Sequence, residues 1–125
     1  MMTLTKTYHV DIGLPEGVQQ PSEAHPLVYS QHAKHEAGRE AARGHVIELP
    51  HQLPAYRLVE VQILGHVAVK WVVRVRVNDT QDLVLVLQNN EAHYLVRTVW
   101  VNEASDNHKT LDRSKYALPM DERGA

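Results

Sequence analysis

The side chains best suited to chemistry gather near the end of the chain. Residues 94–116, YLVRTVWVNEASDNHKTLDRSKY, start as a strand and run into a polar hook carrying Asn102, Asp106, His108, Lys109, Thr110, Asp112, Arg113, Ser114 and Tyr116. His108 is the one side chain in the hook that takes and gives protons near neutral pH. Lys109 and Arg113 have the charge to stabilise a pentavalent phosphate, and Tyr116 can donate a proton or stack on a base. The same residues also suit an ordered capping turn. There, Asp106 and Asp112 would accept backbone N–H bonds and Tyr116 would pack on a sheet.

Two further groups lie upstream. Lys70, Arg74 and Arg76 alternate with apolar residues, and no acidic residue occurs between positions 61 and 78. On a strand they share one side at about 6.6 Å per two residues, close to the phosphate spacing of a single nucleic-acid strand. The commoner meaning of such a pattern is the wet side of a sheet. The other group is the helical stripe His32, His35, Glu36, Arg39 and Arg43, spaced to lie together. This stripe suits either a solvated helix face or a helix presenting His32 and Arg39 at the edge of a cleft. His32-x-x-His35 with Glu36 has one-turn spacing for a zinc pair but lacks the HExxH order and an evident third ligand. No metal and no cofactor is expected. GxGxxG, GxxxxGK[ST] and GxSxG are all absent.

The elements that must position these groups follow from periodicity. Residues 3–12 alternate as a short strand, and Gly13, Pro15, Gly17, Pro21 and Pro26 make 13–26 a loop. Ser30 suits an N-cap and Gly44 a C′ position, enclosing a helix of about three and a half turns. Ala33, Ala37 and Ala41 give that helix a flat small-residue face, which Gly38 and Ala42 widen. Residues 45–49 read as a further short strand. A meander follows, with strands over 56–64, 67–77, 82–88 and 94–101. Gly65-His66 suits a type II′ hairpin turn, and LVLVL at 83–87 reads as a strand buried on both faces. In the second strand of the meander Trp71 shares the valine face and Arg74 the opposite, open one.

The expectation is α+β: one main helix on a four- to five-stranded antiparallel meander ending in the polar hook. It is one domain, with a compact core over 27–116. The loop 13–26 and the tail 117–125 contribute little to that core and are mobile or ordered by a partner. Apolar residues make up 43% of the 125 and charged ones 22%, which argues against wholesale disorder. A formal net charge of −2 excludes bulk electrostatic coating of nucleic acid, so such contact needs a local patch. With no cysteine there is no disulfide, thiolate metal site or cysteine nucleophile. No positive-then-apolar leader opens the chain and no apolar run approaches the ~18 residues of a membrane span. A cytoplasmic location without membrane association is therefore expected.

The order of elements, with YSQHAKHEAGREAARG preceding an antiparallel meander that ends in VRTVW, resembles the RelE/barnase-like ribonuclease toxin superfamily. The hook TVWVNEASDNHKTLDRSKY also looks like the end of small uncharacterised bacteriophage-encoded proteins. The toxin resemblance implies a helical part on a four-stranded sheet and metal-independent RNA cleavage on the open sheet face. His32 matches a helix histidine of some of these families, and Thr98 a common threonine of their last strand. The chain departs from them in being slightly acidic. On this reading a 2′-OH attacks the adjacent phosphate with His108 or His32 as acid or base. Arg39, Arg74 and Arg113 stabilise charge, and Lys70, Arg76, Thr98, Trp100, Lys109 and Tyr116 hold substrate.

The competing expectation is a non-catalytic phage-encoded protein, acting in the host cytoplasm or as a virion component. It would bind a protein partner, a second copy of itself, or single-stranded nucleic acid. Stacking platforms for the last of these would be Trp100, Tyr94 and Trp71, of which Trp71 is better suited to the core.

Overall fold

The computed structural model describes residues 5–45 and 47–106. One helix accompanies a six-stranded, mostly antiparallel sheet. The strands are β1 (Thr5–His9), β2 (Leu27–Tyr29), β3 (Arg57–Leu64), β4 (Val67–Arg76), β5 (Gln81–Asn89) and β6 (Tyr94–Glu103), with α1 (Gln31–Ala42) between β2 and β3. The spatial order is β1-β3-β4-β5-β6-β2. The α+β class and the β3–β6 meander follow the expectation, whereas six strands replace the expected four or five. The added strand is β2, only three residues long, which pairs parallel to the start of β6. Three residues inside a Pro-rich stretch carry no readable alternation. Residues 47–49, expected as strand, have no regular structure.

Local chemistry accounts for the turns and the helix ends. Gly65 sits at φ 64°, and Ala24 is the only non-glycine at positive φ among the described residues, as a type II′ turn at Gly65-His66 requires. Ser30 caps the helix by accepting the Ala33 N–H at 3.0 Å, and Gly44 takes φ 91° just past its end. The helix does not present the expected Ala33–Ala37–Ala41 face. Ala33 and Ala37 are buried with Glu40, while Gly38, Ala41 and Ala42 are exposed. The helix is rotated so that the Glu40 carboxylate, not a methyl group, meets the sheet.

Both faces of the sheet centre are buried. The first carries Trp71, Val73, Leu85, Leu87, Val96 and Val99, packed with Ala33, Ala37 and Leu53. The loop 13–26 belongs to this side, against the expectation that it adds little to the core. Leu14 and Val18 pack on the cluster, Trp71 Nε1–H donates to the Gln19 carbonyl at 2.9 Å, and the Tyr56 hydroxyl donates to that of Pro21. These hydrogen bonds satisfy the polar ends of core aromatics, which would otherwise be orphaned.

The second face carries Val59, Val72, Val84 and Val86, with Trp100 against them and the buried polar residues Glu60, Gln62, Arg74 and Asp82 around them. The open basic face expected on β4 is therefore not open at its middle. Val72 and Arg74 are 0% and 2% exposed.

Candidate functional site

The cleft that gathers most side-chain chemistry lies between α1 and β6. It forms because β2 ends early and the chain passes through Ser30 into the helix, which continues beside the β6 edge. Three hydrogen bonds fix this arrangement. Ser30 N–H donates to the Val96 carbonyl at 2.9 Å and Ser30 Oγ–H to that of Arg97 at 3.1 Å. Further along, Glu40 Oε2 accepts from Val101 N–H at 2.9 Å. The helix thus satisfies edge-strand backbone groups that a seventh strand would otherwise take.

The cleft has a volume of about 320 Å³, and its described lining includes His32, Glu36, Glu40, Arg43, Thr98 and Trp100. The four helical residues follow i, i+4, i+8 and i+11 spacing, which keeps them on one face. His32 is exposed on the first turn and Glu36 half-buried. Arg39 Nη1 pairs with Glu36 Oε1 at 3.1 Å and stands at the rim, 54% exposed. Buried Glu40 is held by Arg43 and lies 4.0 Å from His45 Nε2, besides accepting from Val101. Glu40 is thus a structural carboxylate, and exposed His32 and half-buried Glu36 are the other imidazole and carboxylate in the cleft lining. Thr98 and Trp100 share one side of β6 and Val99 and Val101 the other, so both sides of this edge strand line the cleft.

Among the sequence-derived candidates, the structure brings His32, Thr98 and Trp100 together, with Arg39 beside them. Arg74 is placed elsewhere. Its side chain is 1% exposed, its Nε lies 2.8 Å from Asp82 Oδ2, and its terminal nitrogens donate to the carbonyls of Glu103 and Asp106. The Nε–Asp82 contact is an ion pair rather than a directed hydrogen bond. Through its two terminal nitrogens, Arg74 ties the turn after β6 to the sheet. Arg76 is exposed and also bound to Asp82, Nε to Oδ1 at 2.7 Å. Lys70 is half-buried, in register with Gln62 and Gln88. Tyr94 is buried, its hydroxyl accepting from Ser22 N–H, and Trp71 is fully buried, so neither is a stacking platform. His108, Lys109, Arg113 and Tyr116 lie outside the described residues.

Glu36, Arg43 and Asp82 are additions to the candidate list. The first two were readable from the helical stripe they share with His32. Asp82 was readable only after registering β5 against β4, where it falls opposite Arg76. Among the described residues no group of three or more His, Asp or Glu side chains is placed to hold a metal ion, and no helix is long and apolar enough to cross a membrane. No family model, curated protein or solved structure matches the chain.

Proposed function

We propose that the α1–β6 cleft is a metal-independent acid–base site acting on the RNA backbone. The observation that supports this reading most is the presence of His32, Glu36, Arg43, Thr98 and Trp100 around one cleft. Glu36 accepts the 2′-OH proton as the 2′ oxygen bonds to the adjacent phosphorus. His32 in its protonated form donates to the departing 5′ oxygen, leaving a 2′,3′-cyclic phosphate and a free 5′-OH. Neighbouring guanidiniums at Arg39 and Arg43 stabilise the charge that develops on phosphorus-bound oxygens, and Thr98 contributes a hydroxyl donor. Trp100 offers a flat surface for a base. His108, from the hook, is the second candidate for either proton-transfer role, and cytoplasmic action accompanies this reading.

Incubation with RNA in EDTA tests it. Cleavage is expected for the parent protein, with losses of about 10²–10⁴-fold in His32→Ala and Glu36→Gln, the usual range for removing a general acid or base. Equal cleavage by parent and variants would contradict the assignment. A second reading, a non-catalytic binder of single-stranded nucleic acid or protein, is favoured by the engagement of Glu36 and Glu40 in ion pairs with Arg39 and Arg43. Retention of intact RNA that is lost in Trp100→Ala would support the nucleic-acid form of that reading.

A further inference from the structure

At the far side of the second face, three arginines share one carboxylate. Asp82 Oδ1 lies 2.7 Å from Arg76 Nε, and its Oδ2 lies 2.8 Å from Arg74 Nε and 3.9 Å from Arg57 Nη2. The strand register forces this convergence, because Arg57 stands directly opposite Arg74 across β3–β4 and Arg76 opposite Asp82 across β4–β5. Like charges directly opposite one another destabilise a sheet. Among the ion pairs of the described residues, this one carboxylate meets three guanidiniums. Asp82 is itself only 5% exposed and fully engaged.

Arg74 is committed to backbone carbonyls, but Arg57 and Arg76 are not. Their side chains are 60% and 57% exposed. They line an open pocket of about 260 Å³ with Ala55, Tyr56, Arg74 and Asp82. Among the described residues, Arg76 forms a hydrogen bond only through Nε and Arg57 has only the long contact to Asp82. Their planar Nη groups are therefore available to one external oxyanion, held in the forked geometry that guanidinium pairs give to tetrahedral oxyanions.

We propose that Arg57 and Arg76 form a phosphate-binding site, with buried Arg74 as the fixed positive charge behind it and Asp82 orienting all three. The site is distinct from the α1–β6 cleft. The cross-strand row Arg57–Arg74–Val84–Trp100 separates them by three strand spacings, about 14 Å. The proposal does not depend on RNA cleavage in that cleft. The ligand is a phosphate group, either free inorganic phosphate or the phosphate of a nucleotide.

Titration of the full chain at constant ionic strength, followed through the arginine Nε–H resonances, tests the site. Inorganic phosphate and adenosine 5′-monophosphate are the two probes. Saturable shifts of the Arg57 and Arg76 signals are expected, with at least tenfold weaker binding in the Arg57→Gln/Arg76→Gln double variant. Equal affinities for the two probes assign the site to the phosphate group alone, and tighter nucleotide binding assigns it to a nucleotide phosphate. Non-saturable shifts matched by chloride, or unchanged affinity in the double variant, would overturn the proposal. Arg57→Gln alone provides a second readout, since it relieves repulsion among the cations. Its thermal midpoint in phosphate-free buffer should equal or exceed that of the parent, and phosphate should raise it less. A midpoint rise with phosphate as large as the parent's would count against the site.

Discussion

Removing one partner of the Arg74–Asp82 pair should be among the most damaging single changes in this protein. Both side chains are almost wholly buried, so Asp82→Ala leaves the Arg74 guanidinium without a carboxylate, whereas Arg74→Met leaves Asp82 still paired with Arg76 through Oδ1. Loss of one member of a buried pair typically costs about 3–5 kcal/mol, and denaturant unfolding should show a loss of that size for Asp82→Ala and a smaller one for Arg74→Met. Glu40 presents a milder case. Glu40→Leu leaves the Val101 N–H without its acceptor and releases Arg43, a loss of about 1–3 kcal/mol for an orphaned buried donor. Tyr29 gives a pH signature. Burial raises its phenol above the ordinary value of 10.0, while its hydroxyl donates to the Pro50 carbonyl. Below pH 10 both folded and unfolded chains keep the proton, so this contribution is fully present. As pH rises from there toward the higher folded value, only the unfolded chain releases it, and stability falls. Tyr56 shifts in the same direction through burial, with the charges of Glu23 and Tyr94 adding. Tyr29→Phe should therefore lose about 1 kcal/mol at neutral pH for its hydrogen bond, yet show a shallower alkaline decline than the parent in unfolding experiments between pH 9 and 11.

The junction from β2 through Ser30 into α1 is the element-level feature on which the cleft depends. Ser30 caps the helix through Ala33 and donates to the Arg97 carbonyl, so Ser30→Ala removes both links. Loss of a serine cap costs about 0.5–2 kcal/mol, and here it should also reduce whatever activity the cleft carries, because the helix bearing His32 loses its anchor to β6. Ser30→Asp, which can still cap, should recover stability more fully than activity, since it cannot donate to Arg97. The elements with strong patterns could be read from sequence alone: the capped helix, the β4 alternation and the doubly buried LVLVL of β5. Short elements set by long-range pairing could not, since β2 is defined by Tyr94–Val96 some 67 residues away. The same limit hid the fate of Arg74. Local alternation places it on a face but says nothing of Asp82, which comes to its side only through register. For the candidate site, His32, Thr98 and Trp100 were visible singly, and their meeting required the helix to follow the β6 edge.

Taken whole, the molecule is a sheet buried at its centre, with chemistry displaced to two margins: the α1–β6 edge and the arginine group near the start of β3. Val72, Val73 and the run Leu83–Leu87 are all 2% exposed or less. Their amides in β4 and β5 should exchange hydrogen most slowly, and those of the outer strand β1 orders of magnitude faster. Equal protection across all six strands would contradict a stability gradient running from centre to margins. At the α1–β6 margin, the proposed reaction begins with transfer of a 2′-OH proton without a metal ion. A DNA oligonucleotide containing a single ribonucleotide isolates that step. In EDTA one cut is expected, immediately 3′ of the ribonucleotide, leaving a 2′,3′-cyclic phosphate and a 5′-OH, with His32→Ala strongly impaired. Cleavage of the all-DNA control, or an intact ribonucleotide-containing strand under conditions where the protein is folded, would contradict it.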